Sequence, residues 1–405
     1  MKIKKYNLMS LIFLLFVIAF IGCSKKENVE IGKKADAEKF EKEKKEYESL
    51  KTPQELLKKI RGDKKGITKD EYIKLVQTLA YADYNKDTLM YDKKNITYEA
   101  LEILRKESNE SYQYYYNAEV MEKLLSDPSP QVRRHVFYLL TTFANSNNAQ
   151  IKEIAKKAFK NEKDPFALIE GIAALSTLKH FGKPEDTEIA QLIAEQAKSD
   201  NVRIRRKVAV NIGSVWFKGS KAAVDTELML IDDKIPEVAN EACEYSGDLN
   251  NARIVEKIST IMKDNTKEKL QGYCVAGLIK SWWHNNTNET AYKMTMDYFK
   301  RTPRTKDTPF WYPISAINLP ESILSNFLKS APYFNKEEFI NVMKEIVKDT
   351  NSNRLARSSA IRAIAKIGTK SELTALGTAV KNLKDDDKSK AELMRVYERE
   401  LKGKK

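Results

Sequence analysis

The chain has 405 residues, with 71 Lys and Arg against 57 Asp and Glu, a formal net charge of +14, and only 14 Gly, 11 Pro and 3 Cys. So few cysteines exclude a disulfide-stapled scaffold, and the longest apolar run, Leu8 to Ile21, is too short to span a bilayer comfortably. Abundant Lys, Glu, Ala and Leu, with scarce strand-type alternation, predict a helical protein.

At the N-terminus Lys2, Lys4 and Lys5 precede that apolar run, and Gly22 and Cys23 follow it. A basic stretch, an apolar stretch and a small residue in this order predict a secretory signal over residues 1–22. Phe20-Ile21-Gly22-Cys23 resembles the lipobox of bacterial lipoproteins, with Phe20 where Leu is usual. The resemblance implies cleavage before Cys23 and acylation of Cys23. It also implies a protein held by membrane lipid in the bacterial cell envelope, periplasmic or surface-exposed, without crossing the membrane. Residues 24–51 then carry nine Lys against eight Asp and Glu, the composition of a solvated tether or a lone charged helix.

Residues 52–126 read as helices. Thr52-Pro53-Gln54-Glu55 and Thr68-Lys69-Asp70-Glu71 are capping boxes, Thr97 opens a further helix, and Ser111 to Leu125 leads into the next segment.

That segment, Asp127 to Leu140 with the sequence DPSPQVRRHVFYLL, sets the pattern for the rest of the chain. Asp127 suits a helix cap and Pro128 a first helical turn, and Val132, Val136, Leu139, Leu140 and Phe143 share one helical face. The same offsets recur from Ile204 (Val208, Ile212, Val215), Val238 (Ala242, Tyr245, Ser246, Leu249), Leu270 (Cys274, Gly277, Leu278) and Ala356 (Ala360, Ala363, Ile364, Ile367). A looser copy starts at Ile169 behind Asp164-Pro165. The zero positions 132, 169, 204, 238 and 270 are spaced by one helical hairpin, the signature of a solenoid. First helices of the hairpins are predicted at 150–159, 185–197, 220–230 and 253–262.

D-P-x-x-x-V-R followed by an aliphatic helix resembles the second helix of a HEAT repeat. The resemblance implies an all-α, right-handed superhelical solenoid of antiparallel helix pairs, with residues 52–126 capping its N-terminal end. It also implies a ladder in which a turn Asp pairs with an Arg one place after the zero position. Asp127 with Arg133, Asp200 with Arg205, and Arg357 take those parts, while Glu170, Ala239 and Gln271 interrupt them. Regular repeats are expected over 127–288, an irregular repeat with a Pro-rich aromatic loop over 289–348, and a final repeat with closing helices over 349–405.

The sequence offers little from which to assemble catalysis. It has no Gly-rich phosphate loop, no H-E-x-x-H, no C-x-x-C and no G-x-S-x-G. His135, His180 and His284 fall on different repeats, so neither a metal nor a cofactor is expected. Trp216 and Trp282 share one register and read as packing residues. Trp283, and Arg304, Phe310, Trp311 and Tyr312 in the Pro-rich loop, read either as a binding surface or as plugs where the repeat degenerates. Arg133, Arg134, Arg203, Arg205, Arg206 and Lys207 form a basic stripe, but an exported lipoprotein does not meet the genome, so nucleic acid is not expected as a partner. Three functions follow: a non-catalytic scaffold for an unidentified envelope protein, a cell-wall or polysaccharide module using Trp283, Trp311 and Tyr312, and an envelope enzyme with an unfamiliar site. The first accounts for most of the pattern.

Overall fold

A computed structural model describes residues 68–82, 84–85, 90–91, 117–143, 149–180, 187–285, 288–301, 331–384 and 386–403. All of them lie in the unit Pro53–Lys405. The signal, Cys23, the tether and the helices expected after Thr52 and Thr97 fall outside the described residues.

The first described helix, α1 (Lys69–Ala82), starts at the capping box read from sequence: Thr68 N donates to Glu71 Oε2 at 2.9 Å, and Glu71 N donates to Thr68 Oγ1 at 3.2 Å. A two-residue antiparallel ladder follows, β1 (Tyr84–Asn85) on β2 (Met90–Tyr91). Helical hairpins then succeed one another. They are α2 (Ala118–Leu125) with α3 (Pro130–Phe143), α4 (Ala149–Asn161) with α5 (Pro165–His180), and α6 (Thr187–Glu195) with α7 (Val202–Ile212). Next come α8 (Lys221–Ile231) with α9 (Pro236–Tyr245), and α10 (Ala252–Met262) with α11 (Glu268–Asn285). Helix α12 (Glu289–Lys300) opens another pair, and beyond residue 330 lie α13 (Lys336–Lys348) with α14 (Arg354–Ile367) and α15 (Lys370–Lys381) with α16 (Asp387–Gly403).

Second helices pack on second helices, in the order α3, α5, α7, α9, α11, and first helices pack on first helices, in the order α2, α4, α6, α8, α10. The described fold is therefore an all-α stack of helix pairs in two layers, with α1 packed on α2 and α3 at its N-terminal side. Each pair leaves an apolar stripe that only its neighbours cover. Val132, Val136, Leu139 and Leu140 are buried, as are Ile204, Val208 and Ile212, and Ala356, Ala360, Ala363, Ile364 and Ile367.

Two expectations are corrected. The helix expected to open on Asp127 and Pro128 begins at Pro130, with the Asp127 carboxylate accepting Ser129 N at 2.9 Å and the Gln77 amide at 2.8 Å. Asp127 thereby shapes a turn ahead of the helix, and the second proline of DPSP takes the first helical position. The second correction separates Trp216 from Trp282, which share a register. Helix α7 stops at Ile212, and Val215 to Phe217 form a 3₁₀ turn that leaves Val215 45% and Trp216 37% exposed. Helix α11 continues to Asn285 and carries Trp282 into full burial.

Val136 is fully buried in α3. Val136→Asp is expected to destabilise the protein by several kcal/mol, on the order of an unpaired charge forced into an apolar layer. Denaturant melts of the two chains measure the difference, and overlapping curves would reject the proposed stripe.

Candidate functional site

In four of the copies the residue one place after the zero position works as a bracket on the turn of its own hairpin. Arg133 Nη1 donates to the carbonyls of Asp127 and Pro128 at 2.8 and 3.0 Å, and Arg205 Nη1 to those of Ser199 and Asp200 at 2.9 and 3.2 Å. Gln271 Nε2 donates to Ile261 O at 3.1 Å and Asp264 O at 2.8 Å, and Arg357 Nε to Val347 O at 2.8 Å. Carbonyls in the last turn of a helix and in the loop just after it have no partner within the helix, and these side chains supply one.

The ladder differs from the one implied by the family resemblance. The Arg133 fork spans the Glu162 carboxylate at 2.7 and 2.8 Å, and the Arg205 fork spans Asp233 at 2.7 and 3.1 Å. Asp127 and Asp200 meet these arginines through their carbonyls and their fields, not through carboxylate hydrogen bonds. Glu162 and Asp233 each stand in the turn of the next hairpin, where they also accept backbone N–H groups: Lys163 and Asp164 for Glu162, and Ile235 for Asp233. A carboxylate in the middle of a turn thus fixes the turn and receives the previous hairpin's guanidinium together. The hydrogen bond to Glu162 raises the Arg133 pKa, and that to Asp233 raises the Arg205 pKa.

At the next odd hairpin the same connection is made with its polarity reversed. Gln271 Oε1 accepts from Arg301 Nη1 at 2.8 Å, and Arg301 Nη2 donates to Met262 O at 2.9 Å. Arg301, at the end of α12, is a rung of the stack. The intervening copies use other pairs. Glu170 lies 3.9 Å from Arg134, and Glu241, two places after Ala239, is held by Arg206 at 2.7 Å.

Of the residues expected to bind a partner, Trp283 lies in the last turn of α11 with its side chain outside the described residues, and Arg304, Phe310, Trp311 and Tyr312 are outside altogether. What is described is the frame at both ends of that segment. Arg301 ties its start to the α10–α11 turn. At its far end Tyr333 donates its hydroxyl to Trp282 O at 3.1 Å, and the Phe334 ring stacks on Trp282 with centroids 6.2 Å apart. Trp282 Nε1 donates to Thr295 Oγ1 at 3.0 Å, and the Tyr292 ring meets the indole edge-on at 5.2 Å. Beside this frame Asn250, with φ +46° at the end of the α9 turn, accepts from Ser281 Oγ at 3.2 Å and Asn288 Nδ2 at 3.3 Å.

A second concentration of polar groups lies where α9 meets α11. A Cβ on Gly247 would fall on the Gly277 carbonyl oxygen, and one on Gly277 would fall on the Cys243 carbonyl oxygen, so bare backbone meets bare backbone. Lys280 Nζ stands 3.9 Å from the Tyr245 ring centroid, 3.8 Å from Glu244 and 3.9 Å from Asp248. Across the layer, Glu227 of α8 is fully buried, and neither carboxylate oxygen has a hydrogen-bond partner in the protein. A Cβ on Gly213 would stand 2.7 Å from Glu227 Oε1 and 2.9 Å from Tyr245 O. Burial, then Cys243, push the Glu227 pKa well above its ordinary 4.5, and Lys280 only partly opposes them.

His135 is fully buried, and desolvation followed by the adjacent Arg134 charge holds its pKa down to about 3, so it packs as a neutral ring. Among the described residues no group of three or more His, Cys, Asp and Glu is placed to hold a metal ion. Sequence spacing gave no sign of Glu227, whose carboxylate lies on a first helix without a motif around it.

No family model and no curated protein matches this chain. Among solved structures it is similar to an engineered protein, at 13% identity and a TM-score of 0.34 over 87% of this chain and 99% of the other. It is also similar to a chain in a structure of Kap95p with RanGDP, at 12% identity and a TM-score of 0.45 over 83% of this chain and 45% of the other. The chain thus spans less than half of that second protein. The helical stack stands on its own packing, and neither likeness adds to it.

Two consequences are testable. Asp233→Ala is expected to cost about 3 kcal/mol, because it strands a half-buried guanidinium and frees a turn, whereas Asp225→Ala at an exposed pair is expected to stay within about 1 kcal/mol. Equal effects in urea melts would remove the ladder's special standing. Glu227 holds its proton in the folded protein and releases it on unfolding, so its contribution to stability falls as pH rises above 4.5, by about 1.4 kcal/mol per unit until the folded-state value is passed. Glu227→Gln is therefore expected to melt higher than the parent at pH 7 to 8, with a margin that shrinks toward pH 4.5, and a pH-independent difference would contradict the assignment.

Proposed function

We infer that the chain is a lipid-anchored, HEAT-type scaffold that binds another protein in the bacterial cell envelope and performs no catalysis. The observation that carries this reading is the double clamp around residues 302–330. Arg301 at one end and Tyr333 with Phe334 at the other are fastened to the α10–α11 hairpin, so the stack holds both ends of a segment that carries Arg304 and the aromatic run Phe310-Trp311-Tyr312. Arg304, Phe310, Trp311 and Tyr312, with Trp283 at the end of α11, would form the contact, since aromatics with Arg dominate protein interfaces. Exposed Val215 and Trp216 add apolar surface on a turn between hairpins. Arg133, Arg205, Gln271 and Arg357 are engaged in caps and rungs, which supports a structural use of the repeats and leaves recognition to the places where the pattern fails. Acylated Cys23, followed by its charged tether, would keep the stack at a membrane surface.

The test is photo-crosslinking in intact cells, followed by capture from detergent-solubilised envelope. One stoichiometric protein partner, lost in Trp311→Ala at an unchanged melting temperature, is the expected result. Co-sedimentation with purified cell wall, abolished by the same substitution and without a protein partner, would replace the reading with a polysaccharide module. Cys23→Ala is expected to move the protein into the soluble fraction, and retention in the membrane fraction would overturn the anchor.

A further inference from the structure

The contact of α9 with α11 has a chemical consequence that lies outside the scaffold reading and does not depend on it. Side chains normally keep packed helices 8–10 Å apart, too far for most residue pairs across them to be bridged. Gly277, and Gly247 in the 3₁₀ turn that follows α9, remove that layer, and Gly277 sits against the Cys243 carbonyl. Cys274 is on the same helix as Gly277, three residues earlier, and therefore faces α9 one turn away. Cys243 and Cys274 are both fully buried free thiols, and Cys274 lies near enough to add, after burial, to the rise of the Cys243 pKa. They are two of the three cysteines in the chain, on successive hairpins, at a described interface where backbone packs directly on backbone.

We propose that Cys243 and Cys274 are a paired-thiol oxidation site, at which a disulfide donor of the glutathione or thiol-oxidoreductase class converts two thiols into a bond joining the fourth and fifth hairpins. One cysteine loses its proton to solvent, and its thiolate attacks a sulfur of the donor disulfide. That forms a mixed disulfide and expels one donor thiolate. The other cysteine, also deprotonated, attacks the protein sulfur of the mixed disulfide, closes the Cys243–Cys274 bond and expels the second donor thiolate. Two electrons and two protons leave the protein, and the donor disulfide is reduced to two thiols.

Burial raises the Cys243 pKa well above its ordinary value, which keeps that thiol unreactive while the helices are in contact. Exchange therefore proceeds through brief separation of α9 from α11, and its rate reports that opening. The bond closes a loop that contains all of α10, and loop closure favours the folded state. Oxidation would thus stiffen one joint of the stack without altering the surface on either side.

The experiment uses the full chain with Cys23→Ser, so that Cys243 and Cys274 are the only thiols. The folded protein is incubated with glutathione disulfide, unfolded in denaturant with iodoacetamide, and analysed as an intact mass and by peptide mapping. The expected product has lost two hydrogens, takes up no alkyl group and yields a single Cys243–Cys274 peptide. Its melting temperature is higher than that of the reduced chain and returns to the reduced value with dithiothreitol, while Cys274→Ser shows neither change. Recovery of two alkylated cysteines, under exposure that oxidises the urea-unfolded chain, would overturn the proposal. So would disulfides found only between chains, or a bond that lowers the melting temperature. Gly277→Ala is expected to slow or abolish bond formation by pushing the helices apart, and unchanged oxidation in that variant would contradict the role given to the glycine contact.

Discussion

A forked donor anchored to a turn is the interaction on which the stack depends. A helical hairpin ends its first helix with unsatisfied carbonyls and offers its second helix as an apolar face that needs a neighbour. Arg133 and Arg205 answer both needs together, by capping the carbonyls of their own hairpin and gripping a carboxylate in the turn of the next. Apolar burial supplies attraction between hairpins but little register, because a stripe of aliphatic side chains tolerates sliding. A bidentate contact between a guanidinium and a turn carboxylate tolerates much less.

The rungs alternate. Hairpins carrying Arg133, Arg205 and Gln271 reach forward to the next turn, and those between them carry Glu170 and Ala239 at that position; the ion pairs Arg134–Glu170 and Arg206–Glu241 join second helices at the junctions that Arg133 and Arg205 already bridge. Reversal at Gln271, where the next hairpin supplies the cation, shows that the position matters more than the sign of the charge. It also brings the chain into the segment after Arg301 from a fixed point, and the Trp282 cluster receives it again at Tyr333.

Much of this was legible in the sequence because it follows from periodicity. The stripe from Val132, the copies at Ile204 and Ala356, the capping box at Thr68 and the first helices of the hairpins need only local rules, and they stand within a few residues of their expected places. Partners across hairpins were not legible. Glu162 and Asp233 lie nearly thirty residues from their arginines, and nothing in their neighbourhoods distinguishes them from other acids. Trp216 and Trp282 show the limit of register: a shared offset carries no meaning once one helix has stopped at Ile212. The residues expected to bind a partner lie where periodicity gives out, and the sequence marked that place by composition alone.

The backbone contact of Gly247 with Gly277 bears on how the stack carries load. In a helical solenoid, bending is distributed over many interfaces, each yielding through small shifts of interlocked side chains. An interface without that intervening layer has nothing to compress and little to rearrange, so it behaves as a stiff joint, and Gly213 against the Tyr245 backbone makes a second one at the α7–α9 step. Strain applied at one end of the stack would pass through these two steps and be taken up at the hairpins that flank them. Those include the hairpin that holds both ends of the aromatic segment.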